Sequence, residues 1–401
     1  MTNANKDSLF VLIKSLSKSE KRQFKLYVGR LGVNTDAKFL ALFNLLDKVK
    51  AYDEKVILQT GVVKKAQLSN LKAHLYKQIL VSLRLNPVNQ NIRVQIREQL
   101  DFATILYQKG LYKQSLKILD KAKTTAIENE EKNIAYEIVE LEKVIETQYI
   151  TRSIPDRADE LAIQAKELSA QNVMTSKLSN LSLQLYGQML KLGYVRSDKD
   201  YKYVKEYFEK HLPKYKIEKL GFREKLWLYK SYLWYSFLTQ DFLSCYKYSS
   251  KWSDLFYDNR EMIFLNPVFY LKGNNYLLES LFYVRYSSHF KETLEKLEKT
   301  INDPSFPQND NVTSLAFLYI NSNKLNLHFL EGTFDKGVYL VKIIEYGINK
   351  HKDRIDEHHI MLFYYKIACL YFGMGDNKTC IVYLKKIINN KNLKMREDLM
   401  C

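Results

Sequence analysis

Glycine and proline are scarce in this chain, 13 and 6 among 401 residues. A glycine costs roughly 1 kcal/mol and a proline roughly 3 in a helix interior, so their scarcity permits long uninterrupted helices. Cysteine is scarcer still. Cys245, Cys369, Cys380 and Cys401 form no CxxC pair and match no zinc spacing, which excludes a disulfide framework and leaves reduced packing residues. No stretch approaches the roughly 18 to 20 apolar residues that cross a bilayer. The start, Met1 to Lys6, is polar, and Lys14 interrupts the short apolar run after Ser8, a poor signal peptide. A cytoplasmic protein with no membrane association is expected.

Enzyme signatures are also missing. There is no GxxxxGK[ST], no GxGxxG after a strand, no HExxH and no GxSxG, so neither catalytic residues nor a cofactor are expected. The one histidine cluster, Asp356-Glu-His358-His359, reads as a helix start with Asp356 as its N-cap, not as a metal site. Acid pairs such as Glu142/Glu146 read as solvent-facing charges on amphipathic helices.

What is present begins with charge. The net charge is +17, of which +12 falls in residues 1–97 and +5 in the remaining 304. A basic front segment could attract phosphate or an acidic protein. Yet the chain holds 49 Lys against 13 Arg beside abundant Asn, Ile and Tyr, a bias typical of A+T-rich genomes, and Arg is the better bidentate phosphate ligand.

The front segment reads as several helices. Ser17 and Glu20 form a capping box, with Phe24, Leu26, Tyr27 and Leu31 as the apolar stripe behind it. Phe39, Leu40, Phe43, Leu45 and Leu46 mark a second helix; Leu68, Leu71, Leu75, Ile79 and Leu83 mark another. Val56 to Gly61 followed by a helix from Lys65 could form a helix-turn-helix, with Lys64, Lys65, Lys72 and Lys77 as a basic patch. A plain helical bundle is the simpler reading. Leu85-Asn-Pro87-Val-Asn-Gln-Asn is the best boundary. It separates a basic helical domain, residues 1–86, from a repeating region, residues 91–401.

In that region five turns align: Gly110-Leu-Tyr112, Gln240-Asp-Phe242, Ser288-His-Phe290, Gly332-Thr-Phe334 and Gly375-Asp-Asn377. Each carries a small residue three positions further on, except that Thr293 stands in one copy. Weaker turns near Ser153-Ile-Pro155 and Val195-Arg-Ser197 complete a series spaced by about 43 to 48 residues. Pro304 and Pro307 mark the clearest loop between hairpins.

The segment Phe102 to Ala122, with Gly110, Tyr112, Ser115 and Leu119, resembles the tetratricopeptide repeat; Tyr364 to Ile387 is a second copy. The resemblance spans about residues 91–390. It implies an all-α fold, a right-handed α-solenoid of about seven antiparallel hairpins behind the N-terminal bundle. The period is about nine residues longer than the usual 34, and the first-helix Trp and closing Pro are mostly missing, so armadillo-like or HEAT-like repeats stay open. The stretch Leu393 to Cys401 begins an amphipathic helix and stops, so the solenoid is expected to lack its polar cap.

The resemblance further implies a groove lined by the first helix of each hairpin. Offsets from the turns place there Thr104, Tyr107, Trp227, Lys230, Trp234, Phe237, Phe282, Arg285, Tyr286, Asn326, Phe329, Tyr365 and Phe372. So aromatic a lining suits an apolar or extended peptide. Tyr201 to Lys216 interleaves basic and aromatic residues, as single-strand binders do, but Tyr203 and Tyr207 are expected to share a core face. The expected function is a non-catalytic scaffold or regulator holding a protein or peptide partner. The alternative is a regulator that contacts DNA or RNA through its basic front. The register also makes a prediction. Cys245 and Cys380 occupy the small-residue position after a turn, so Cys380→Leu should overpack the hairpin and cost roughly 1–3 kcal/mol. An unchanged melting temperature would contradict the register.

Overall fold

The computed structural model describes residues 7–30, 36–86, 91–148 and 157–390, and among these every regular element is helical. The front holds α1 (Ser8–Ser15), α2 (Lys18–Gly29), α3 (Asp36–Lys48), α4 (Glu54–Gln59) and α5 (Lys65–Arg84). Then come α6 (Ile92–Gln108), α7 (Tyr112–Glu128), α8 (Lys132–Gln148), α9 (Arg157–Leu192) and α10 (Asp198–His211). A 3-10 turn at Ile217–Lys219 leads to α11 (Phe222–Leu238), α12 (Phe242–Asp258), the short α13 (Glu261–Leu265), α14 (Pro267–Tyr283) and α15 (Ser287–Ile301). Last are α16 (Asp310–Glu331), α17 (Phe334–Gly337), α18 (Tyr339–Lys350), α19 (Glu357–Gly373) and α20 (Asn377–Ile388).

Packing divides the chain into Met1–Ala122 and Lys123–Cys401, a division that falls inside α7. The Pro87 stretch, the Ser153-Ile-Pro155 turn and the Leu393–Cys401 segment lie largely or wholly outside the described residues. In the first unit, α2 and α3 pack on α5 around Phe24, Phe39, Phe43, Leu75 and Ile79. The capping box of Ser17 and Glu20 forms. Leu26 is exposed, and Val28 takes its place in the core, because 24 and 28 lie one turn apart. Gly61 turns the chain between α4 and α5 in the left-handed region.

In the second unit consecutive helices pack on one another: α14 touches α12, α15 and α16, and α16 touches α14, α15, α18 and α19. Five short turns, the first in the other unit, share one geometry, and the turn at Glu130 between α7 and α8 has it as well. Gly110, Gln240, Arg285, Gly332 and Gly375 all have φ between 57° and 81°. The next N–H donates to the carbonyl five residues back, as in Leu111 to Leu106, Asp241 to Ser236, Tyr286 to Leu281, Thr333 to His328 and Asp376 to Tyr371. This is the Schellman ending, which satisfies orphan carbonyls and reverses the chain. It corrects one alignment: the turn after α14 pivots on Arg285 rather than Ser288, because Ser288 is already inside α15. The small residue five positions after each pivot is buried at Ser115, Cys245, Gly337 and Cys380, and Phe290 fills that position in α15. Ser115 Oγ donates to the Ala103 carbonyl at 2.7 Å, and a Cβ on Gly337 would lie 2.7 Å from Leu370 Cδ1.

Three other expectations change. α9 runs unbroken for 36 residues, whereas seven antiparallel hairpins would need a break between the turns near Pro155 and Ser197; it holds one glycine and no proline, so nothing stops the helix. On α10 the core face is Val204 and Phe208, with Tyr203 exposed. Glu142 does not face solvent: it is fully buried, 2.7 Å from Lys123 Nζ and 3.3 Å from Arg157. Removing one partner of such a pair leaves a charge stranded in low dielectric, whereas replacing both with apolar groups restores packing. Glu142→Leu should therefore cost about 3–5 kcal/mol in chemical denaturation. Lys123→Met with Glu142→Leu should be more stable than Glu142→Leu alone. Equal losses would mean that the pairing carries no weight.

Candidate functional site

One side of the second unit gathers side chains from α9, α11, α14, α16 and α19. It begins with helical spacing. On α9, Leu183, Tyr186 and Leu190 fall at i, i+3 and i+7, and all three are exposed, Leu183 at 68%. Gly187 lies among them with open space around it. Tyr186 meets Trp234 of α11 at 4.8 Å between ring centroids, and Trp234 meets the edge of Tyr276 of α14 at 5.7 Å. Each step crosses to the next helix. Burial, then the nearby Glu279 and Tyr319 of α16, push the Tyr276 hydroxyl well above its ordinary range.

A polar ladder runs beside these rings. Asn275 donates to Glu279 at 2.9 Å, Asn323 to Asn275 at 2.8 Å, and Asn326 to Asn323 at 3.2 Å. Lys366 of α19 donates to Asn326 at 2.9 Å and to Ser322 Oγ at 2.6 Å. Asn275, Asn323 and Asn326 are buried, and buried amides must find such partners. Burial raises the Glu279 carboxyl, against the pull of Lys366. Burial likewise lowers Lys366 to about 8, against the pull of Glu279. The two charges communicate through amides, with no direct ion pair between them among the described contacts.

Lys230 stands apart. Its Nζ sits 4.6 Å from the centre of the Trp227 ring, whose edge packs on Phe269. Burial and then the neighbouring Lys272 lower its pKa to about 8. No carboxylate contributes to that shift.

The expected groove residues divide accordingly. Trp227, Lys230 and Trp234 come together on this side. Phe237 is buried in the core, and Asn326 is spent inside the ladder, so neither offers an open surface. Arg285 and Tyr286 form the turn itself instead of a helix face, because Arg285 is the left-handed pivot and Tyr286 the N-cap of α15. Phe282, Arg285 and Phe329 line a cavity of about 440 Å³ with Tyr283 and Leu330. Tyr365 and Phe372, seven apart on α19, are exposed. Thr104 bonds back to the Leu100 carbonyl, and Tyr107 packs near Tyr112; both belong to the first unit. Sequence reading missed Tyr186, Tyr276, Tyr319, Glu279 and Lys366. The available signal was the run of asparagines, Asn275, Asn323 and Asn326, within otherwise apolar helices.

The basic patch does not assemble as expected. Lys64, Lys65 and Lys77 are exposed, but Lys72 is engaged by Asp7 and by the Tyr52 hydroxyl at 2.9 Å. Burial would lower Lys72, but these hydrogen bonds outweigh it and leave its pKa raised. A tighter basic stripe lies on α2, where Lys18, Arg22 and Lys25 share one face beside Leu26. At the other end of the chain, Asp356 accepts from the His359 N–H and caps α19.

No protein-family model matches the chain, and no curated protein matches it.

A lysine whose pKa falls on folding binds fewer protons folded than unfolded. Stability therefore rises with pH between about 8 and the ordinary 10.5, and the penalty is fully present below that window. Lys230→Met should raise the melting temperature at pH 7, with the gain shrinking as pH approaches 10.5. A lower melting temperature at pH 7 would show that the charge is compensated.

Proposed function

We propose that the hairpins of the second unit stack as a long-repeat, tetratricopeptide-like solenoid and that the protein is a non-catalytic scaffold or regulator of other proteins. In this reading a helix or peptide of the partner lies along the side described above. One observation carries it: the aromatic series Tyr186, Trp234 and Tyr276 spans α9, α11 and α14 and continues onto the exposed Leu183 and Leu190. Apolar anchors at i, i+3 and i+7 with a glycine between them suit the close approach of a second helix. Lys230, which has no carboxylate partner among the described residues, supports the same reading. A desolvated cation that opposes stability is the kind of group a binding surface retains.

The second reading, contact with nucleic acid, draws on the stripe Lys18, Arg22 and Lys25 of α2. The two separate cleanly. Leu183→Ser with Tyr186→Ser and Lys230→Ala should weaken capture of the wild-type partner from native lysate at least about tenfold, a loss of about 1.4 kcal/mol. Lys18→Glu with Arg22→Glu should leave that capture intact. If the second pair abolishes capture and the first does not, the surface on α9 and α11 is not the site.

A further inference from the structure

A different cavity, of about 320 Å³, opens among α15, the loop that follows it, α16 and α18. Its size falls within the range of small-molecule pockets. Its walls are mainly apolar: Ile301, Phe306, Val312, Ala316 and Ile343, with Phe306 fully buried. The back wall is the ring of Phe317, stacked on the imidazole of His351 at 5.3 Å and 26°. Gly347 makes that possible, since a Cβ there would overlap the Phe317 ring.

The cavity is preformed. The loop Asn302 to Asn309 is the longest between two hairpins in this part of the chain, and it is tied to itself. Ser305 bonds Asp303 through both its N–H and hydroxyl, and Gln308 donates to the Ile301 carbonyl at 3.2 Å. Phe306 is held inward as a result. His351 lines the same cavity at 5% exposure, and its Nδ1 has no hydrogen-bond partner among the described residues. A buried ring nitrogen without a partner is costly, which makes it a point where a ligand gains affinity.

We propose that this cavity is a binding site for a flat aromatic small molecule carrying one hydrogen-bonding group. The rings of Phe317 and Phe306 and the aliphatic walls enclose the ligand's flat body, and His351 pairs with its polar group. Burial, with Lys350 and Arg354 next and Asp310 opposing, holds the imidazole below its ordinary pKa. That shift disfavours the imidazolium, which suits an uncharged polar group such as a phenol. The inference is independent of the groove, although α16 contributes to both: Val312, Ala316 and Phe317 face the cavity, while Ser322 and Asn326 belong to the ladder.

The test uses the full chain and 2-naphthol, whose hydroxyl can donate or accept and so suits either imidazole tautomer. Saturation-transfer NMR should give a Kd of about 0.1–1 mM, within the affinity accessible to so few atoms. His351→Phe keeps the ring and removes the polar atom, and should weaken binding about tenfold. Ala316→Phe fills the space and should abolish saturable binding. Wild-type affinity in both variants, or no transfer to the wild type at millimolar 2-naphthol, overturns the proposal. Should either variant fail to fold, a soaked crystal of the wild type decides: density among α15, α16 and α18 supports the site, and ligand elsewhere or absent sinks it.

Discussion

The second unit depends on a backbone constraint repeated at its short turns. One residue adopts left-handed φ, and the next N–H closes onto a carbonyl five residues back. This ends a helix and starts the next within two or three residues, too few for the chain to travel sideways. The second helix must fold back on the first. Cys245, Gly337 and Cys380 are then buried five positions after the pivot, and Phe290 fills that position in α15. Gln240 and Arg285 show that the pivot need not be glycine. They accept a conformation that costs a side chain free energy, so the hydrogen bonds and packing beyond it outweigh that cost.

Against this apolar framework the polar interior stands out. Glu142, Glu279, Lys230 and Lys366 all bring charge into low dielectric, where solvation is lost. Glu142 recovers it through Lys123 and Arg157. Glu279 and Lys366 recover part of it through a relay of asparagines whose amides each serve as donor and acceptor. The relay links α14, α16 and α19, so it also fixes how those helices sit along one another. Among the described residues Lys230 has the Trp227 face and no carboxylate partner. That contrast sets Lys230 apart from the three charges whose partners lie within the fold.

α16 joins the two proposed sites. Its N-terminal half lines the cavity with Val312, Ala316 and Phe317, and its middle supplies Ser322, Asn323 and Asn326 to the ladder.

Much of the helical content was legible in local pattern. The capping box at Ser17, Asp356 as the cap of α19, Pro267 at the start of α14 and the pivots Gly110, Gly332 and Gly375 all follow from residue chemistry within one helical turn. The pivot at Arg285 was not legible, because alignment on the aromatic Phe290 moved the turn to Ser288, whereas Gln240, also not glycine, was found from the Phe242 that follows it. Nor was the burial of Glu142: an amphipathic pattern assigns a charge to solvent unless a partner from another helix brings it inside. The aromatic side was half visible. Trp227, Lys230 and Trp234 follow from their offset to a turn, but Tyr186, Tyr276 and Glu279 join them only through contacts between helices far apart in sequence. The sequence by itself determined that the chain is helical and where many helices start and stop, since those are decided by neighbours within a few residues. Only the tertiary structure decided which face of each helix is covered and which charge is left unpaired, because burial is a property of what packs against a residue and not of the residue.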